Sequence, residues 1–259
     1  MPEQITGAGW AFCWGLAAAS GVLGGTTLAL IARLRHRAIA AIMSVGAGVL
    51  VSAASVSIKL ASGVLVVAGS VITACGIVVG AAIFSIANAA LATAKDRKRC
   101  GECKRQLSEA EVPGSGKSIA LGSVLDAIPE ALVLGLTLRV SGTDVVLVVG
   151  ALALSNVSEA LSATAGMRLA SRSTTYVLTL WSCIALGTAA MTALTFYLLS
   201  NLGPDLTTIL MALGAGALIA MTAETMVPEG FHNGPRYSGL LAASGFAALI
   251  LLSEVVKRA

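Results

Sequence analysis

Residues 145–167 read VVLVVGALALSNVSEALSATAGM, an apolar stretch whose single charged residue is Glu159. A helix of about 20 residues, rising 1.5 Å per residue, crosses the hydrocarbon core of a bilayer, which is about 30 Å thick. This stretch is therefore predicted to be a membrane-spanning helix. Blocks of the same kind fill the chain, because 56% of its 259 residues are hydrophobic and only 12% are charged. A soluble domain carries about 25% charged residues.

The whole chain is predicted to be one all-α, polytopic membrane helix bundle, a single transmembrane domain over residues 1–259. Its small residues, Gly, Ala and Ser, favour close packing of membrane helices. In a membrane protein the net charge of +4 is not a sign of nucleic-acid binding. The lipid bilayer is the expected partner, and no nucleic acid is expected to bind. The eight predicted spans lie at about residues 8–32, 38–57, 64–92, 119–138, 145–167, 176–199, 206–227 and 237–256.

The basic residues are distributed unevenly between the two ends of these spans. Thirteen of the 17 Lys and Arg residues fall on one side, and only Lys59, Arg139, Lys257 and Arg258 fall on the other. Lys and Arg favour the cytoplasmic side of a membrane. Both termini are therefore predicted to lie outside, in a multi-pass protein of the plasma or inner membrane.

The longest hydrophilic segment covers residues 95–117 and is predicted to be a flexible cytoplasmic loop, since it is basic and contains Pro113-Gly114-Ser115-Gly116. The loop also contains Cys100 and Cys103. A structural zinc site needs four ligands, and no second pair follows in the sequence. The two thiols are thus open to two interpretations, a metal-capturing pair or a reduced pair on a solvated linker.

Four acidic residues fall inside predicted spans, namely Asp126, Glu130, Glu159 and Glu224. Each costs about 2.5–3.5 kcal/mol at the membrane centre on insertion scales. No Lys or Arg occupies a mid-span position from which it could form an ion pair with them. The acids are therefore expected to face the bundle interior and to need protons, polar partners or a bound cation.

Their spacing brings further polar groups to the same places. Asp126 and Glu130 are four residues apart and share one face of span four. Ser155 and Asn156 precede Glu159 by four and three residues, so the three share a face of span five. Spans four and five are joined by a short turn, and the two clusters are expected to meet near mid-membrane.

These motifs resemble those of the ZIP family of metal transporters (zinc- and iron-regulated transporter-like proteins), over essentially the whole chain. Residues 125–130, LDAIPE, resemble the span-four signature, an acid or His followed by Pro-Glu. Residues 155–159, SNVSE, and 223–229, AETMVPE, resemble the span-five and span-seven signatures. Residues 46–50, GAGVL, resemble the small-residue start of the second span. Eight spans, outside termini and a variable loop after span three also agree with the family.

The resemblance implies a central metal site with Glu224 at its cytoplasmic exit and Ser155 as a weak or water-mediated ligand. The ligands implied at the centre are Asp126, Glu130, Asn156 and Glu159. Three features depart from the family: Asp126 stands where many relatives have His, Ser158 replaces a proline, and span six has no acid near Trp181. These departures favour one principal site over a two-metal centre.

The expected function is transport of a divalent metal cation towards the cytoplasm, with zinc foremost and iron or manganese as alternatives. Carboxylate and amide oxygens suit such ions. The metal is cargo, and no cofactor and no enzymatic activity are expected. A homodimer is possible. Two other functions stay open: a non-transporting membrane protein with a relict metal site, and an intramembrane metal-dependent enzyme.

Overall fold

The computed structural model describes residues 2–32, 34–62, 68–92, 115–140, 144–232 and 234–258. Every regular element in these ranges is a helix. The helices are α1 (Pro2–Ile31), α2 (His36–Ser62), α3 (Ala68–Ala92), α4 (Ser115–Val140), α5 (Asp144–Leu169), α6 (Thr174–Leu198), α7 (Pro204–Met221), a π-helical segment (Thr222–Met226), α8 (Val227–His232) and α9 (Ser238–Arg258).

Eight helices in the described ranges are long and apolar enough to cross a membrane. They correspond one to one with the eight predicted spans, so the all-α polytopic bundle is confirmed. The seventh span is compound, because α7, the π-helical segment and α8 follow one another without a break over Pro204–Phe231. The predicted loop at residues 95–117 lies almost wholly outside the described residues. Its last three residues, 115–117, belong to α4.

The eight spans fall into two groups by their packing. In the first group α1 packs most extensively against α5 and α6, and α4 packs against α6. In the second group α3 packs against α7, and α2 packs against α9 and α7. The groups meet where α2 packs against α5 and where α4 packs against α7. The first group, α1, α4, α5 and α6, supplies every wall of the candidate site described below.

Glycines bring paired helices into backbone contact, as the abundance of small residues predicts. A Cβ atom at Gly21 would overlap the carbonyl oxygen of Ala153, which fixes α1 against α5. At Gly48 a Cβ would overlap the carbonyl oxygen of Ala242 on α9 in the same way. Gly80 of α3 makes the equivalent contact with α7. In each case the distance would fall well below 3.0 Å, which real Cβ atoms essentially never show.

The spans α3 and α9 are the least buried of the eight. Their exposed side chains are large and aliphatic, among them Ile83 and Ile86 on α3 and Leu240 and Leu251 on α9. Such faces suit the acyl chains of a bilayer. The possible homodimer stays a prediction.

Candidate functional site

A small cavity inside the first helix group is lined by four of the residues that the sequence singles out. Asp126 and Glu130 reach it from α4, and Asn156 and Glu159 reach it from α5. All four side chains are buried, with exposed fractions of 2%, 3%, 6% and 7% in that order. Asn156 and Glu159 lie near the middle of the span Asp144–Leu169. Four of the predicted site residues, from both clusters, thus line one cavity inside the bundle.

Helix α4 presents its two acids on one face because they are one helical turn apart. The buried Pro129 lies directly before Glu130, and the helix continues through it to Val140. A proline has no backbone N–H, so Pro129 cannot donate the helical hydrogen bond that the carbonyl of Leu125 would otherwise accept from residue 129. A backbone oxygen next to Asp126 in the sequence is thereby released from the helical hydrogen-bond pattern.

Helix α5 is held close to α1 by the glycine contact at Gly21, and this brings Asn156 within reach of the α1 backbone. The Asn156 amide donates a hydrogen bond from Nδ2 to the carbonyl oxygen of Ala18, at 3.3 Å. With the amide nitrogen engaged there, its Oδ1 is the atom left to accept a hydrogen bond or bind a cation. The close approach of two helices thus fixes the orientation of one polar side chain of the site.

The remaining wall comes from α6, with one residue from α1. Trp181, Ile184 and Thr188 of α6 and Val22 of α1 line the cavity. Trp181 is fixed by a hydrogen bond of 2.9 Å from its Nε1 to Thr164 Oγ1 on α5. These side chains give the acids a largely apolar surrounding, in which a charge is costly unless it is compensated.

The charged residues that line the cavity in the described part of the chain are all acidic. Among the described residues, no Lys or Arg lines it. Oδ1 of Asp126, Oε1 of Glu130 and Oε1 of Glu159 are buried and accept no hydrogen bond from the described residues. Each of the three residues does make another polar or electrostatic contact. The cavity is therefore suited to a positively charged occupant.

The occupant has to be small, because the centre of a water-sized sphere can move only within a volume of about 10 Å³ in this cavity. That is close to the least volume that holds one water molecule. In the described part of the chain, no three His, Cys, Asp or Glu side chains converge closely enough to hold a metal ion as they stand. The four polar residues are thus brought to one cavity without forming a complete coordination shell.

Two residues of the predicted site lie elsewhere. Ser155 is buried, and its hydroxyl lies 3.7 Å from the sulfur of Met226 instead of lining the cavity. Glu224 is exposed and faces α3, where it accepts hydrogen bonds from Ser85 Oγ and, at 2.7 Å, from Asn88 Nδ2. Glu224 therefore does not extend the cavity, and any exit role for it stays a prediction.

Glu229 is a residue whose position the sequence did not predict. It lies in α8, and its Oε2 accepts a hydrogen bond of 3.1 Å from Ser162 Oγ on α5. Ser162 is three residues after Glu159, hence on the same face of α5. Glu229, more than Glu224, thus continues the line of polar groups that leaves the cavity along α5. The one signal in the sequence is that Glu229 ends the span-seven motif.

A π-helical segment, Thr222–Met226, lies between α7 and α8. A π-turn holds more residues than an α-turn, so the residues after it are rotated relative to a continuous α-helix. Glu224 within the segment faces α3, whereas Glu229 after it faces α5. Such interruptions are frequent at functional sites.

The cysteine pair Cys100 and Cys103 lies outside the described residues.

Comparison of the sequence with models of known protein families gives no match, and comparison with curated proteins gives none either.

Proposed function

We propose that this multi-pass membrane protein carries a divalent metal cation across its membrane. One observation supports the proposal above the others. Three buried carboxyl groups and an amide line one ion-sized cavity, and none of its described lining residues is Lys or Arg. Ionisable residues inside membrane spans are rare and mark ion pathways and proton relays. The resemblance to the ZIP family, which rests on short motifs and on the layout of the spans, indicates the same function.

Zinc is the first candidate for the transported ion, with iron and manganese as alternatives. The preference for zinc comes from the family resemblance, because the oxygen ligands Asp126, Glu130, Asn156 and Glu159 are compatible with all three ions. The carboxyl groups do not converge in this structure. The proposal therefore requires these side chains to turn towards a common point when an ion enters.

Uptake by the purified protein in liposomes tests this function. Wild type is expected to take up Zn²⁺, and a Glu130→Ala, Glu159→Ala double variant is expected to lose the uptake, because it lacks two of the three acids of the cavity. Asp205→Ala is the matched control, since Asp205 is exposed in the first turn of α7. Competition with Mn²⁺ and Fe²⁺ in the same liposomes ranks the ions.

The small volume and the incomplete shell of the cavity favour one other function, a membrane protein whose metal site is a relict. The two proposals differ in the same assay. If folded wild type moves none of the three ions faster than the double variant does, transport is wrong and the relict site is supported.

The ion is proposed to move towards the cytoplasm, with both termini outside. The supporting observation is the excess of Lys and Arg at one end of the spans. The test introduces a single cysteine either near residue 236, at the basic end of the spans, or after residue 256, at the opposite end. On intact cells a membrane-impermeant reagent should label only the cysteine after residue 256. Labelling only of the cysteine near residue 236 would show that the protein has the opposite orientation.

A further inference from the structure

A second cavity, of about 290 Å³, lies at the basic end of the bundle, where α1 ends, α2 begins and α5 ends. It is separate from the acidic cavity, with which it shares no lining residue. Its position coincides with the ends of three spans, at Ile31, His36 and Leu169. Span ends lie at the level of the lipid headgroups, where the hydrocarbon core gives way to the polar interface.

The walls of this cavity are amphipathic. Ile39 and Leu161 are buried and form its inner, apolar part. Arg168 and His36 are exposed and form its outer, polar part. No acidic side chain of the described ranges lines it. An apolar interior with a basic rim is complementary to an amphiphile that carries a negative charge.

Arg168 is positioned to hold such a charge. Its Nη1 donates a hydrogen bond to the carbonyl oxygen of Ala29 at the end of α1, which fixes the guanidinium at the rim. A guanidinium has five N–H donors, and its planar fork matches the oxygens of a phosphate group. The positive end of the dipole of α2, which begins at His36, adds to the potential there.

The same charges argue against two other occupants. A divalent cation is repelled by Arg168, so this cavity is an unsuitable exit for the transported ion. Inorganic phosphate would satisfy Arg168 and His36 but would leave the apolar wall at Ile39 and Leu161 in contact with water. A phospholipid satisfies both parts, because its phosphate meets the rim while its glycerol and upper acyl segments cover the wall.

We propose that this cavity binds the headgroup of an anionic phospholipid, with Arg168 as the main phosphate ligand and His36 as a second donor. Basic pockets between membrane helices on the cytoplasmic side bind anionic headgroups by this chemistry. The site joins α2 of one helix group to α1 and α5 of the other. A bound lipid therefore bridges the two groups. The inference depends on the membrane location and is independent of metal transport.

The test is lipid binding to the full-length protein in detergent, measured by native mass spectrometry with phosphatidylglycerol and phosphatidylcholine. Wild type should bind phosphatidylglycerol roughly fivefold more tightly, as expected for the attraction of about 1 kcal/mol that one Arg near the membrane surface contributes. Arg168→Gln should remove most of that preference. Arg236→Gln should keep it, since Arg236 is an exposed basic residue at the same end but outside the cavity.

A second variant tests the cavity without changing its charge. Ala32 lines the cavity, and Ala32→Leu should fill it and weaken phosphatidylglycerol binding while Arg168 is intact. Equal effects of Arg168→Gln and Arg236→Gln would show diffuse surface attraction and overturn the proposal, as would unchanged binding in Ala32→Leu. Displacement of the lipid by millimolar inorganic phosphate would show a free-anion site and would overturn it too.

Discussion

Replacing either Glu130 or Glu159 by Gln is expected to lower Zn²⁺ uptake roughly 100-fold while the protein stays folded. Both side chains are buried in the acidic cavity, and Gln keeps the shape of Glu but removes its charge. Two unit charges 4 Å apart attract by about 4 kcal/mol at an effective dielectric constant of about 20, and about 1.4 kcal/mol is a factor of ten in binding. One lost carboxylate is therefore enough for an effect of this size.

Stability should respond in the opposite direction from transport. A buried carboxylate is expensive within a membrane span, so the thermal unfolding midpoint of each Gln variant should equal or exceed that of wild type. The measurement pairs uptake in liposomes with thermal unfolding in detergent, with Asp205→Asn as the exposed control. Wild-type uptake in both Gln variants would mean that the cation takes another route and that the site assignment is wrong.

The largest loss of stability is expected from Gly48→Ala. A Cβ atom at this position overlaps the backbone carbonyl of Ala242, and a backbone atom cannot swing aside as a side chain can. Helices α2 and α9 must therefore separate. Overpacking of this kind costs about 1–3 kcal/mol, occasionally more. The variant should show a lower thermal unfolding midpoint in detergent and a smaller monodisperse fraction on size exclusion.

Gly187→Ala is the matched control for that variant. Gly187 lies within α6, as Gly48 lies within α2, but a Cβ atom there meets nothing within 4 Å. Both substitutions gain the same helix propensity, about 0.5–1 kcal/mol, so the difference between them isolates the helix contact. If Gly48→Ala unfolds at the same temperature as Gly187→Ala, the backbone contact between α2 and α9 is not formed as described.

The elements of this fold could be predicted from the sequence because each span is a local feature. The apolar stretch at residues 145–167 is long enough to cross a bilayer whatever its neighbours are. The pairing of Asp126 with Glu130 follows from helical periodicity in the same way. Burial of both acids could also be expected, because lipid leaves a charge few places except the interior of the bundle.

The parts of the site that could not be predicted depend on contacts between distant segments. Trp181 and Thr188 line the cavity, but no local pattern distinguishes them from lipid-facing residues of α6. The contacts of Glu224 with α3 and of Glu229 with α5 lie within and just after the π-helical segment between α7 and α8. A hydropathy pattern does not reveal that segment, because its sequence, TAETM, is compatible with a continuous α-helix.

The four helices that line the acidic cavity, α1, α4, α5 and α6, have the four lowest mean hydropathies of the eight spans. This difference matters during synthesis, when each span must leave the translocation machinery and enter lipid before its final neighbours are present. A span such as α4, with two acids that cost about 2.5–3.5 kcal/mol each, gains from partners that can shield them. Helices α2, α3 and α9 carry none of the acids Asp126, Glu130, Glu159 and Glu224, so they have less need of such partners. The acids proposed to bind the ion thus make α4 and α5 dependent on neighbouring helices during membrane insertion.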